Sequence, residues 1–150
     1  MRFLIQVVDH ASVTVDEQVT GKIGPGMLVL IGLGARDDQA RADRMIDKML
    51  KLRIFEDENG KTNKSLADVK GSLLLVSQFT LYANCRHGNR PGFTDALAPE
   101  PAEQLYHYIV EHCRERVSEV QEGIFGAYMK VELVNSGPFT VILDSDELGY

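Results

Sequence analysis

Two nearly continuous apolar runs constrain the fold of this chain more than any other feature of its sequence. Met27–Leu33 reads Met-Leu-Val-Leu-Ile-Gly-Leu, and Leu73–Val76 places three leucines and a valine in succession. Runs without alternating polar residues are typical of strands that are buried on both faces. The sequence therefore predicts a sheet whose central strands are covered on both sides.

Polar residues follow the second apolar run and indicate a possible site. Ser77, Gln78 and Thr80 place hydroxyl and amide groups where the buried strand is predicted to end. A core strand that frays into a polar loop explains this stretch equally well. A second stretch, Asn135–Thr140 with the sequence Asn-Ser-Gly-Pro-Phe-Thr, favours the functional interpretation.

Length and composition are those of an ordinary globular protein. The 150 residues are 44% hydrophobic and 25% charged, which predicts a single domain over residues 1–150.

We expect a cytoplasmic protein, because the strand-like opening lacks a leader pattern and no apolar run reaches the roughly 18 residues of a membrane span. Cys85 and Cys113 are far apart in sequence and are expected to be reduced thiols. The formal net charge of -6 argues against a broad nucleic-acid-binding surface, so any RNA contact is expected to be local.

Periodicity predicts two main helices. Apolar residues at helical spacing indicate one helix from Asp37 to Arg53 and another from Pro99 to about Gln121. Asn59-Gly60 predicts a turn between them. The acidic tail from Asp144 onward is expected to be loosely held.

Four further segments predict strands. Met1–His10 and Ser12–Val19 indicate a hairpin or meander, with a tight connection at Asp16-Glu17. Tyr128–Val134 alternates apolar and polar residues, and Phe139–Leu143 is a further apolar strand.

The loop Asn84–Phe93 is too rich in glycine, proline and asparagine for a regular element, and it brings Arg86, His87 and Arg90 together. A small basic patch beside a polar strand end is suited to holding phosphates. A solvated surface loop is the alternative interpretation, and these residues alone favour it.

Familiar chemical motifs are absent. There is no phosphate-binding loop, no dinucleotide-binding glycine pattern, no serine-hydrolase elbow and no His-Glu-x-x-His pair. Cys85 and His87 alone make a poor metal site, so neither a metal nor a cofactor is expected. Hydroxyl, amide and main-chain chemistry remain. At Gly137-Pro138 glycine allows a close approach and proline fixes φ, in a sequence compatible with a cis peptide bond.

Ser77–Ala83 (Ser-Gln-Phe-Thr-Leu-Tyr-Ala) together with Asn135–Thr140 resembles the signature pair of the D-aminoacyl-tRNA deacylases, also called D-tyrosyl-tRNA deacylases. Either motif alone is weak, but the two in this order and at this chain length are specific. The resemblance covers essentially the whole chain and includes Ile5-Gln6, Ala11–Val13, Gly24–Gly34, Asn89–Pro91 and Gly123–Met129.

The resemblance implies an α+β fold with a strongly curved, barrel-like mixed β-sheet flanked by two main helices. It implies a homodimer in which a cis Gly137-Pro138 of one subunit reaches the site of the other as a chirality gate. Rigid main-chain carbonyls would tolerate the hydrogen of a D-residue and clash with the side chain of an L-residue. The implied activity is hydrolysis of D-aminoacyl-tRNA, and of mischarged glycyl-tRNA, to free tRNA and amino acid, without a membrane or DNA partner.

Catalytic roles are implied for Ser77, Gln78, Phe79 and Thr80. Main-chain N–H groups around the first three are candidates for an oxyanion site. Thr80 is the natural nucleophile candidate, but neither motif contains the histidine or lysine that would activate it. The resemblance therefore favours hydrolysis assisted by the 2′-hydroxyl of the terminal adenosine of the tRNA.

Two further groups of residues are candidates for substrate contacts. Substrate binding is expected of Phe125, Gly126, Ala127 and Met129, which lie in the matching segment Gly123–Met129. Contacts with tRNA phosphates are expected of Arg86, His87 and Arg90, because they form the basic patch of the loop.

Two residues depart from the family pattern. Val7 stands where an arginine is expected, and Phe139 stands where a smaller valine is usual. Both departures are expected to affect which substrates are accepted more than the type of reaction. Two alternatives stay open: a non-catalytic module that binds the tRNA acceptor end, and a small-molecule esterase that uses Thr80.

Overall fold

One long strand is paired along both of its edges and organises the sheet. In this computed structural model, which describes all residues 1–150, β1 spans Arg2–Val15. Its first half pairs antiparallel with β3 (Gly26–Gly32) and its second half with β2 (Gln18–Ile23). Its other edge pairs antiparallel with β8 (Lys130–Asp144) over most of its length.

Parallel strands extend the sheet beyond β3. The strand β6 (Ser72–Ser77) runs parallel to β3, and β7 (Val120–Glu122) runs parallel to β6. Because β2 contacts both β6 and β7, the sheet curls into a nearly closed barrel. A separate small hairpin contains β4 (Phe55–Glu56) and β5 (Thr62–Lys64). The curved, barrel-like mixed sheet is confirmed.

Two helices, α1 (Gln39–Leu50) and α2 (Pro99–Arg114), pack on one face of this sheet. The carboxylate of Asp38 caps α1 by accepting a hydrogen bond of 2.8 Å from the Arg41 N–H. Met45 of α1 and Ile109 of α2 are fully buried in the same core as Phe3 of β1. Neither helix is long and apolar enough to cross a membrane.

The other face of the sheet carries a second core. Leu28, Leu74 and Val76 are buried there with Val13, whereas Leu73 belongs to the core beneath the helices. Successive residues of β3 and β6 are thus buried on opposite faces, as their apolar runs predict.

The second helix is shorter than predicted. It ends at Arg114. Val120 fits the apolar spacing of the predicted helix, but it lies in β7 and pairs with Leu73. The prediction of a helix to about Gln121 was wrong, because this segment satisfies backbone groups on the free edge of β6.

At each end of the chain, two segments that were predicted separately contribute to one longer strand. β1 continues to Val15 before the predicted connection at Asp16-Glu17, where both residues have positive φ. The segments predicted as Tyr128–Val134 and Phe139–Leu143 belong to the single strand β8, which is irregular between them.

The tail is ordered by contacts with the start of the chain, so its expected looseness was wrong. Ser145 is fully buried, and its N–H donates to the carbonyl of Met1 at 2.9 Å. The N–H of Tyr150 in turn donates to the Ser145 carbonyl at 2.9 Å.

Tyr106 provides a test of how α2 is attached to the sheet. Its buried hydroxyl donates to the Leu75 carbonyl at 2.9 Å, and burial raises the pKa of Tyr106, which keeps the donor protonated. If the hydroxyl is removed, the Leu75 carbonyl still accepts a hydrogen bond from the Gly123 N–H, at 2.9 Å. We therefore expect Tyr106→Phe to lower the free energy of unfolding by about 1 kcal/mol, measured by urea denaturation at fixed protein concentration.

The matched control is Tyr128→Phe, which removes a hydroxyl from a side chain that is 87% exposed. It should change the free energy of unfolding by less than about 0.5 kcal/mol. Equal effects of the two substitutions would contradict a stabilising role of the Tyr106 hydrogen bond.

Candidate functional site

An apolar cavity of about 590 Å³ opens at the end of β6. Its walls come from the ends of β3 and β6, the turn after β6, the start of α2 with the loop before it, and the loop that leads into β8. Its lining contains no aspartate, glutamate, histidine, lysine, arginine or cysteine. The cavity is therefore suited to binding by shape, apolar contact and main-chain groups.

A short 3-10 helix, Phe79–Tyr82, follows β6, and its first residue lines the cavity. Two glycines, the last residue of β3 and one just after it, allow the helix to pack closely. A Cβ on Gly32 would lie 2.8 Å from the Cβ of Leu81, and a Cβ on Gly34 would lie 2.7 Å from the ring of Tyr82. A side chain at Gly32 would push the helix away, whereas one at Gly34 would displace the Tyr82 ring.

Main-chain hydrogen bonds fix the turn into this helix. The N–H of Gln78 donates to the Ile31 carbonyl at 2.7 Å, and the Gln78 carbonyl accepts from the Leu81 N–H at 3.3 Å. The first N–H groups of a helix have no partner within the helix. The amides of Phe79 and Thr80 therefore have no partner within the 3-10 helix, and Phe79 lines the cavity.

Thr80 has no neighbouring base. Its hydroxyl accepts a hydrogen bond of 2.5 Å from the side-chain amide of Gln78. An amide donor cannot take the hydroxyl proton, so this contact orients the threonine without activating it. Thr80 itself is exposed and does not line the cavity.

Seven of the sequence-predicted residues line the apolar cavity. They are Ser77, Gln78, Phe79, Phe125, Gly126, Ala127 and Met129. Phe79 is 57% exposed and meets Phe93 edge-on, with ring centroids 5.0 Å apart. Phe93 and Tyr128 also line the cavity and were not predicted, although each lies beside residues that the sequence did indicate.

The stretch Asn135–Thr140 forms an irregular excursion in the middle of β8. Gly137 has a φ of 128°, and the Gly137-Pro138 peptide bond is cis. The side chain of Asn135 closes the excursion by accepting from the Phe139 N–H at 2.8 Å and donating to the Thr140 hydroxyl at 2.9 Å.

Gly137 and Pro138 are exposed and do not line the cavity of their own chain. The excursion is attached to β1 by the hydroxyl of Ser136, which donates to the Asp9 carboxylate at 2.7 Å. Within one chain, the two signature motifs therefore do not meet in this cavity.

The two departures from the family pattern lie close to this excursion. Val7 is buried in the core beneath the helices, at the position where β1 and β8 lose their regular register. Phe139 packs against the same core, and its N atom would lie 2.9 Å from a Cβ on Gly137.

The predicted phosphate contacts are separated from the apolar cavity. Arg86 lines a second, polar cavity, whereas His87 and Arg90 are exposed on the loop and line neither cavity. The loop is closed by reciprocal main-chain hydrogen bonds of 2.8 and 2.9 Å between Asn84 and Gly92. No group of three histidine, cysteine, aspartate or glutamate residues is arranged to hold a metal ion.

The sequence matches a known family over nearly its whole length. Residues 4–144 match the family described as D-Tyr-tRNA(Tyr) deacylase. The D-aminoacyl-tRNA deacylase of Thermosipho melanesiensis is 49% identical over 149 residues, 99% of each chain. That of Clostridioides difficile is 51% identical over 147 residues, 98% of this chain and 99% of the relative.

Solved structures show the same fold. A c-Myc DNA unwinding element binding protein superposes with a TM-score of 0.91 and 41% identity, over 96% of this chain and 98% of that chain. A probable eukaryotic D-amino acid tRNA deacylase superposes with a TM-score of 0.82 over 95% of this chain and 97% of that chain. At 20% identity the second likeness concerns the fold alone.

Proposed function

Since the chain belongs to the D-Tyr-tRNA(Tyr) deacylase family, we propose that its apolar cavity is the active site of a D-aminoacyl-tRNA deacylase. The enzyme hydrolyses the ester between a D-amino acid and the terminal ribose of tRNA. The observation that carries the proposal is that the Ser77–Phe79 turn and Phe125–Met129 meet in one cavity.

Ester hydrolysis needs a site for the negative charge that develops on the carbonyl oxygen. The amides at the start of the 3-10 helix, those of Phe79 and Thr80, are the groups we assign to it. The Gln78 N–H is already bonded to Ile31, so its contribution is to hold the turn in place. Fixed main-chain donors suit this task because they need no reorganisation during the reaction.

Water activation is assigned to the substrate. The lining of the cavity supplies no histidine or carboxylate as a general base, and the hydroxyl of Thr80, the nucleophile candidate, has only an amide neighbour. The 2′-hydroxyl of the terminal adenosine lies next to the ester in the substrate itself. We assign to it the role of assisting attack by water, while the protein positions the ester.

Discrimination against L-amino acids is assigned to the Gly137-Pro138 excursion of a second copy of the chain. The excursion is exposed and lies outside its own cavity, so it is available to another copy. Exposed apolar side chains on β8, Val134 and Ile142, flank it and suit a protein contact. In a symmetric dimer, each excursion would enter the partner's cavity.

The first test is hydrolysis of tRNA charged with D-tyrosine, L-tyrosine or glycine by the purified protein, with a chelator present. We expect rapid loss of the D-tyrosyl ester and retention of the L-tyrosyl ester, because only the L side chain meets the gate. Glycyl-tRNA should also be hydrolysed, since glycine has no side chain to clash. Hydrolysis of both tyrosyl esters would contradict the assignment of Gly137-Pro138 as a chirality gate. Binding of tRNA without hydrolysis of any ester would favour the non-catalytic module.

Thr80→Ala tests the assignment of the nucleophile. We expect kcat on D-tyrosyl-tRNA to fall by less than about tenfold, because the threonine only supports the turn. Circular dichroism would establish that the variant is folded. A complete loss of turnover in a folded variant would make Thr80 the nucleophile, and activity on simple esters would then favour the small-molecule esterase.

Subunit complementation tests the position of the gate. Gly137→Ala places a Cβ at 2.9 Å from the Phe139 N atom and should displace the gate, whereas Ala127→Phe should fill the cavity. Ala127→Phe alone should have little activity, whereas Gly137→Ala alone should hydrolyse the L-tyrosyl ester as well as the D-tyrosyl ester, because its gate is displaced. After co-refolding of equal amounts, half of the Gly137→Ala cavities face the intact gate of an Ala127→Phe subunit, so hydrolysis of the L-tyrosyl ester per Gly137→Ala subunit should fall by about half while hydrolysis of the D-tyrosyl ester is retained. Undiminished hydrolysis of the L-tyrosyl ester after co-refolding would contradict a gate that acts across subunits.

A further inference from the structure

A second cavity of about 490 Å³ lies at the other end of the 3-10 helix. Phe79, the first residue of that helix, lines the apolar cavity, and Tyr82, the last, lines this one. Four arginines line it, and we call it the arginine cavity: Arg2, Arg36, Arg41 and Arg86. This is a concentration of cations in a chain whose formal net charge is -6.

Two of these arginines are committed to the fold. Arg2 donates to the Asp144 carboxylate and to the Leu81 carbonyl, both at 2.7 Å. Arg41 bridges Asp37 at 3.3 Å and Asp146 at 3.1 Å. These carboxylates compensate the charges of Arg2 and Arg41. We therefore assign the two arginines a structural role in the wall of the cavity and no role in ligand binding.

The other two arginines are available to a ligand. Arg36 is 77% exposed along its side chain and has a single ion-pair partner, Asp146, at 2.9 Å. Arg86 is exposed and makes no ion pair, and its main-chain N–H donates to the Asn84 side chain at 3.1 Å, which holds the backbone of the loop at this point. Both guanidinium groups therefore retain donors for an anion.

The lining also contains a free acceptor. Asp95 lines the cavity and its carboxylate has neither an ion pair nor a side-chain hydrogen bond. A site for a simple anion gains nothing from a carboxylate beside its cations. A nucleotide combines a phosphate with amino and hydroxyl donors on its base and ribose, and it matches both features.

We propose that the arginine cavity binds a nucleotide of the single-stranded acceptor end adjacent to the aminoacylated one. Arg36 and Arg86 hold its phosphate, and Asp95 accepts from its base or ribose. This inference rests on the proposed function. The two cavities are separated by the four-residue 3-10 helix, about 6 Å from first to last residue at its usual rise, so a strand that ends in one reaches the other.

The test compares two substrates, D-tyrosyl-tRNA and D-tyrosyl-adenosine, of which the second carries the ester but no phosphate. Arg36→Ala and Arg86→Ala should each lower the ratio of kcat/KM for the tRNA ester to that for the adenosine ester by about tenfold, mainly through KM. The slope of log affinity for tRNA against log salt should become shallower by about 0.7 for a lost phosphate contact. Asp95→Asn should reduce the same ratio without changing that slope.

Arg116→Ala is the matched control, since it removes an exposed arginine that pairs with Asp47 outside both cavities. It should leave the ratio and the salt slope unchanged. Wild-type ratios and slopes in Arg36→Ala and Arg86→Ala would overturn the inference while leaving the deacylase intact. If the wild-type protein hydrolyses neither ester, the proposed function fails, and direct binding of uncharged tRNA to the same variants still decides the role of the cavity.

Discussion

The parallel pairing of β3 with β6 is the constraint on which the site depends. Its register runs from Gly26 opposite Ser72 to Ile31 opposite Ser77, so both strands end at the same edge of the sheet. The approach is close enough that a Cβ on Gly26 would lie 2.0 Å from the Ser72 carbonyl oxygen. At the far end, the Ile31 carbonyl accepts the Gln78 N–H and turns the chain into the 3-10 helix.

That helix separates two environments of opposite character. On one side the apolar cavity has no charged residue in its lining, and shape and main-chain amides determine what it binds. On the other side, Arg2 stacks over the Tyr82 ring at 4.6 Å, and further arginines and aspartates surround it. Burial, with a further contribution from the Asp37 carboxylate, raises the pKa of Tyr82, which remains a neutral phenol there. An ester with an attached polynucleotide needs both environments within a short distance.

The proposed mechanism places few demands on side-chain chemistry. Positioning and main-chain electrostatics lower a barrier without a general base when the substrate carries its own hydroxyl beside the ester. A gate made of main chain has a related advantage, because a side chain would rotate away from an L-substrate and lose discrimination. Asn135 supports this arrangement by bonding across the base of the excursion on β8.

Several features were determined by sequence alone, because they depend on local patterns. The apolar runs of β3 and β6, the turn at Asp16-Glu17 and the start of α2 at Pro99 were predictable from their own residues. The resemblance carried by Ser77–Ala83 and Asn135–Thr140 also indicated the family and its curved sheet.

The tertiary structure decided what depends on distant partners. Val120 continues the apolar stripe of the predicted helix but lies in a strand, because the edge of β6 offers backbone partners to Val120–Glu122. The acidic tail is ordered because Ser145 meets the first residue of the chain. The grouping of Arg36 and Arg86 in one cavity was likewise invisible in the sequence, since 50 positions separate two residues that only the fold brings together.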